Sequence, residues 1–193
     1  MIHSFDNAGP VGHDPPDLQV DILASRTPSG LDPAVEQAIR AFLYLYLGLS
    51  YMSDKWLAVD VYVESQFPSG AGLGSSAAFS VSLTAALAKA ITGCAPERQS
   101  ISDWAFKCEH IFHGKPSGID NSICTFGGAL LFQAAKVVEV LHDMKRLPAL
   151  LVYTNVTRNT KLLVETVMRR RERVSSSAAC SLDHSLCICV SYV

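Results

Sequence analysis

The chain has 193 residues, enough for one domain with a sizeable core, and its 49% hydrophobic content excludes wholesale disorder. Sixteen basic residues against eighteen acidic ones leave a net charge of −2, so charge gives no support for nucleic-acid binding. The opening MIHSFD lacks the regions of a secretory signal, and the longest apolar run, residues 41–49, is about half of a bilayer span, so a soluble, cytoplasmic protein without membrane contact is expected. The six cysteines, Cys94, Cys108, Cys124, Cys180, Cys187 and Cys189, form no C-x-x-C pair of the structural zinc type and suit a reducing compartment.

Residues 1–31 carry Pro10, Pro15, Pro16 and Pro28 among scattered Gly and Asp, a composition of loop or poorly ordered chain. At Asp32 the pattern changes. Asp32 suits a cap, Pro33 a first helical position, and Ala34, Ala38, Ala41, Phe42 and Leu45 recur at helical spacing through Leu49. Residues 57–65 alternate, with Leu57, Val59, Val61 and Val63 on one side, and predict a half-buried strand. A glycine loop follows, and Ser76 to Ile91 then predicts a helix closed by Gly93.

Ser102 is the expected cap of a further helix with body 103–112, which turns Trp104, Phe106, Cys108, Ile111 and Phe112 largely inward. The turn HGKPSG, residues 113–118, ends it. Short strands are expected over 123–126 and 129–133, joined as a hairpin through Gly127 and Gly128, with further strands over 137–141 and 150–154. A helix is expected from about Arg158 to Val174. Residues 175–193 have no clean periodicity and read as a disordered tail, and no internal repeat is visible.

The loop PSGAGLGSSAA, residues 68–78, lies between a predicted strand and a predicted helix. Its glycines permit tight turns and close approach of backbone N–H groups to an anion, and the helix start adds unpaired N–H groups and the positive end of its dipole. No lysine follows the last glycine, so the loop is not a Walker A motif, and its G-x-G-x-G spacing misses the dinucleotide fingerprint. Ser75 or Ser76 can cap the helix or contact phosphate or Mg²⁺.

This loop resembles the second motif of the GHMP small-molecule kinases. WAF at 104–106 with Glu109, then HGKPSGIDN at 113–121, resembles the mevalonate kinase family within that group, and AFLYLYL at 41–47 and TRNT at 157–160 agree. The resemblance spans about residues 34–173. It implies an α+β fold, a partial GHMP-kinase N-terminal domain of the ribosomal protein S5 domain 2-like type over residues 32–174, with the family's C-terminal domain absent.

By the same resemblance the reaction is transfer of the ATP γ-phosphoryl to the primary hydroxyl of mevalonate, giving 5-phosphomevalonate for isoprenoid and sterol synthesis. The implied ATP-binding residues are Pro68, Ser69, Gly70, Ala71, Gly72, Leu73, Gly74, Ser75, Ser76 and Ala77. Ser76 and Glu109 are implied as Mg²⁺ ligands, Asp120 as acceptor of the substrate hydroxyl proton, and Arg158 and Thr160 as mevalonate-side residues. Mevalonate and ATP are the implied partners, and a homodimer is the implied assembly of a full-length form.

Without the resemblance these residues have plainer readings. Glu109 on an amphipathic helix is ordinarily a solvated charge. Asp120 can cap a turn or short helix, His113 is a hydrogen-bonded structural residue, and Lys115 and the run Arg169 to Arg173 are solvated surface.

The sequence also departs from the family. Nothing in residues 1–30 matches the family's opening G-K-x-x-L-x-G-E-H strand, and no G-A-G-G-G-G segment follows. The stretch Thr154 to Arg158 is about two residues short of the family's usual spacing, which bears on Arg158 and Thr160. The expectation is a chain that is inactive alone and unstable or self-associating through uncovered apolar surface. The rival expectations are a non-catalytic nucleotide-binding remnant or splice fragment that binds a partner, and another GHMP kinase.

Overall fold

A computed structural model describes residues 15, 20–66, 72–133, 136–141, 150, 152, 166–170 and 187–190. In chain order these form α1 (Val20–Arg26), α2 (Pro33–Ser53), α3 (Ser75–Thr92), α4 (Arg98–His113), α5 (Ile119–Phe126), β1 (Ala129–Gln133), β2 (Lys136–Leu141) and β3 (Cys187–Val190). The α+β class is as expected. Of the strand expected over 150–154 only Leu150 and Val152 are described, both exposed and outside any strand, and most of the helix expected from Arg158 lies outside the described residues, although residues 166–170 are helical, with Arg169 and Arg170 exposed.

The start of α2 is the one the sequence predicts. Asp32 Oδ1 accepts the Ala34 N–H at 2.8 Å, and Pro33 occupies the first turn, where its missing N–H costs nothing. The helix ends where Asp54 adopts a left-handed conformation and its N–H reaches the Ser50 and Tyr51 carbonyls. Ala41, Tyr44, Leu45, Gly48 and Leu49 recur at three- and four-residue spacing and form its buried face. Helix α3 closes on Gly93 in the left-handed region, again as expected.

The core joins that face to Leu83, Leu87, Ala88 and Ile91 of α3 and to Trp104 and Cys108 of α4. Trp104 is 1% exposed, and its ring centroid lies 5.9 Å from that of Tyr44. Burying each large apolar side chain contributes about 1.5–3 kcal/mol of transfer free energy. Against this cluster α3 and α4 are held rigidly side by side.

The sheet has the order β2-β1-β3, antiparallel throughout. Leu130 of β1 faces Val140 of β2 on one side and Cys189 of β3 on the other, and a bulge falls between Leu131 and Phe132. Ala129, Leu130 and Phe132 are buried.

Five expectations need correction. Residues 57–65 carry no strand; Leu57, Val61, Tyr62 and Val63 are exposed. Alternation defines a face, but a strand also needs a neighbouring edge to pair with, and among the described residues no strand pairs with this segment. Residues 123–126 are helical rather than the first strand of a hairpin. Ser122 Oγ and Thr125 Oγ1 donate to the carbonyls four residues back, at 2.6 and 2.7 Å, and the hairpin partner of β1 is β2. Ser102 is not a cap, because α4 begins four residues earlier, at Arg98. Residues 1–31 include helix α1, and the tail read over 175–193 contributes β3.

Candidate functional site

Helix α3 begins at Gly74, whose φ of 72° lies in the left-handed region that favours glycine. Among the described residues no side chain caps this end, and the first-turn N–H groups of Ser75, Ser76 and Ala77, which have no intrahelical partners, offer an anion-binding surface together with the helix dipole. Gly72 and Leu73 lead into it. Pro68, Ser69, Gly70 and Ala71 lie outside the described residues, as do Arg158 and Thr160.

Because Gly74 takes the cap position, the Ser76 hydroxyl is turned elsewhere. Its Oγ donates to Glu109 Oε2 at 3.1 Å and lies 3.0 Å from His113 Nε2. One turn along α3, Ser80 Oγ lies 3.0 Å from Glu109 Oε1 and 2.9 Å from the Ser76 carbonyl. His113 Nε2 is also 3.5 Å from Glu109 Oε2. Two residues one turn apart on α3 thus meet two residues one turn apart on α4.

Glu109 is 2% exposed, which overturns its reading as a solvated surface charge. Burial raises its pKa above the usual carboxylate range; His113 and the two serine hydroxyls oppose that shift, and the charge of Asp120 reinforces it. Burial likewise pushes the neighbouring Cys108 thiol up to about 12.

Asp120 enters from α5. Gly118, with φ of 84°, starts this helix, and a Cβ at Gly118 would stand 3.4 Å from the Phe106 ring. Asp120 lies in the first turn of α5, exposed, with its Cβ and Cγ 3.9 Å from where a Cβ at Gly74 would stand. It therefore borders the start of α3. The next residue, Asn121, is buried, and its Nδ2 donates to the carbonyl and to the Oγ of Ser102 at 3.0 Å each.

The structure accordingly brings together Gly74, Ser76, Glu109 and Asp120. Ser80 and His113 join them without having been singled out for this site. Each stands four residues from a predicted site residue, Ser80 from Ser76 and His113 from Glu109, and that helical spacing was the available signal. Lys115 is exposed, as expected. Among the described residues no group of three or more His, Cys, Asp or Glu side chains is arranged to hold a metal, and no helix is long and apolar enough to cross a membrane.

Comparison with known proteins adds the following. Residues 35–128 match the GHMP kinases N terminal domain. The chain is 43% identical over 150 residues to mevalonate kinase of Mus musculus, covering 69% of this chain and 37% of that one. It is 40% identical over 153 residues to mevalonate kinase of Homo sapiens, with the same coverage. For mevalonate kinase of Candida albicans the identity is 36% over 167 residues, covering 74% of this chain and 39% of the relative. The chain thus spans somewhat over a third of the length of these curated relatives.

Proposed function

From a chain that carries a GHMP kinase N-terminal domain and is similar to mevalonate kinases over about 70% of its length, we propose a role in ATP- and Mg²⁺-dependent phosphorylation of the primary hydroxyl of mevalonate, giving 5-phosphomevalonate. The observation that carries this reading is the meeting of the Ser76 hydroxyl and the buried Glu109 carboxylate at 3.1 Å, beside the uncapped start of α3 and next to Asp120. Phosphoryl transfer asks chiefly for positioning and neutralisation of charge, and these residues offer both.

The glycine loop and the first turn of α3 would cradle the phosphates through backbone N–H groups. Ser76 and Glu109 would hold Mg²⁺, which when bound neutralises charge on the phosphate oxygens. Their donor set fits that ion. Both are hard oxygen ligands, and neighbouring ligands of an octahedral Mg²⁺ with bonds near 2.05 Å stand about 2.9 Å apart, close to the 3.1 Å found here. Nucleotide-associated Mg²⁺ takes only one or two protein carboxylates, the remaining positions falling to phosphates and water.

Asp120 is exposed at the edge of the anion-binding surface, where it would accept the mevalonate hydroxyl proton as that oxygen attacks the γ-phosphorus. Catalysis by a single base of this kind is worth about 10²–10⁴-fold. The test is ADP release from ATP and Mg²⁺ with and without mevalonate, in wild type and in Asp120→Asn, each carried in a version joined to the family's flanking segments because the chain alone is expected to be inactive. Mevalonate-dependent release that falls by about 10²-fold or more in Asp120→Asn is expected. Release indifferent to mevalonate, or unchanged in the variant, would sink the reading.

A further inference from the structure

Three acceptors and one donor group of unsettled direction surround the paired serines, and proton counting decides how they are arranged. A serine hydroxyl carries one proton and two lone pairs, and an ionised carboxylate only accepts. The Ser80 hydroxyl meets the Ser76 carbonyl at 2.9 Å, Glu109 Oε1 at 3.0 Å and the Cys108 side chain, so its one proton serves Glu109 only in part. The Ser76 proton is the other donor to the carboxylate, through Oε2 at 3.1 Å.

If His113 presented a bare Nε2, that nitrogen and Glu109 Oε2 would compete for the single Ser76 proton. The two acceptors would also face one another across 3.5 Å with no proton between them. A buried carboxylate with so few donors is costly. With the proton on Nε2, every contact is satisfied: Nε2–H donates to Ser76 Oγ, Ser76 donates to Glu109, and the second Ser76 lone pair remains free.

We propose that His113 is a positioning residue: its Nε2–H donates to Ser76 Oγ, commits the hydroxyl proton to Glu109 and leaves one Ser76 lone pair available as a ligand for the nucleotide's divalent cation. This deepens the reading of Ser76 and Glu109 as cation ligands and rests on it. The site suits such a role, since His113 closes the outer side of the pair with its side chain 38% exposed, while Glu109 is fixed from the inner side by Ser80. Partners that orient a metal ligand typically change metal affinity by about 10–100-fold when removed.

Two measurements test it on the full chain. The first is the ratio of ATP affinity with and without Mg²⁺, by calorimetry, in wild type, His113→Phe and His113→Gln. Glutamine places an N–H the same number of bonds from Cβ as the histidine Nε2, whereas phenylalanine keeps the ring and loses the donor. The ratio is expected to fall about tenfold in His113→Phe and to recover in His113→Gln; an unchanged ratio in His113→Phe, or an equal loss in both variants, overturns the proposal.

The second needs no nucleotide. Ring ¹⁵N spectra of the metal-free protein, with the His113 signal identified by its loss in His113→Gln, are expected to show the Nε2–H tautomer and a shift in Ser76→Ala. An Nδ1–H tautomer, or a signal indifferent to Ser76→Ala, overturns the proposal. Were wild type to show no Mg²⁺-dependent ATP binding, the cation reading of Ser76 and Glu109 would fall, and with it the role assigned to His113, whereas the spectra would still decide its hydrogen bond.

Discussion

Ser80 Oγ stands 3.0 Å from Glu109 Oε1 while Ser76 Oγ stands 3.1 Å from Oε2, so consecutive turns of α3 address the two oxygens of one buried carboxylate. The two hydroxyls reduce the cost of a charge in this position without cancelling it, so burial still raises the carboxyl's pKa. The energetic consequences can be read in single substitutions.

Ser80→Ala removes the donor to Oε1 and leaves that oxygen buried and short of a partner. A cost of about 1–3 kcal/mol is expected, a fall in Tm of about 2–4 °C per kcal/mol for a chain of this length. Urea unfolding with an unchanged m value checks it, and the loss should shrink in a Glu109→Gln background, where the group left unpaired is neutral.

The pH dependence of stability carries a definite sign. Burial is the largest influence on Glu109 and raises its pKa, so the folded chain holds this proton more tightly than the unfolded chain does. The associated stability is complete below the unfolded carboxyl range, near pH 4, and is lost as pH rises through the higher folded value. Without divalent cations, Glu109→Gln should therefore gain in Tm relative to wild type as pH rises above about 4. A difference that is flat across the range, or that grows toward acid, contradicts this.

Thiol reactivity should separate Cys94 from Cys108 and Cys124. Cys94 is exposed, whereas burial pushes Cys108 up to about 12 and Cys124 up to about 11. Near pH 8 those values leave thiolate fractions of about 10⁻⁴ and 10⁻³. Iodoacetamide followed by peptide mapping should modify Cys94 well before either of the others. Early labelling of Cys108 would mean that the α3–α4 core opens readily.

The two tryptophans report on different surroundings. Trp104 is 1% exposed in the core and Trp56 is 57% exposed beside Tyr46. Acrylamide quenching should resolve an accessible and a protected class, and Trp56→Phe should leave only the protected one. Trp104→Ala should cost about 3–5 kcal/mol, enough to lose cooperative unfolding if the total lies at the low end of ordinary stabilities.

Features dictated by a few adjacent residues were legible in the sequence: the Asp32 and Pro33 start of α2, the Gly93 stop of α3 and the presence of strands near 129–133 and 137–141, though not their pairing with each other. Two misreadings have different causes. Residues 57–65 have a strand's alternation, but pairing depends on a distant edge that alternation does not specify. Residues 119–126 mix polar with apolar positions over too short a span for periodicity to decide, and the left-handed Gly118 together with the Ser122 and Thr125 back-bonds settles them as helix. At the site, the glycine loop drew attention to Ser76 and the family resemblance to Glu109 and Asp120, whereas Ser80 and His113 needed the packing of α3 on α4. Burial of Glu109 was likewise invisible, because a carboxylate on a helix reads as solvated until its serine partners are seen.

The double hydrogen bond from Asn121 to Ser102 has a mechanical consequence. It rivets the start of α5 to the middle of α4, so Asp120 and Glu109 belong to a single stiff frame although a turn separates their helices. Nucleotide entering or leaving at the start of α3 would leave the span between the two acidic groups unchanged. The ruler between them is a buried amide, and an Asn121→Leu exchange would blur it without touching either carboxylate.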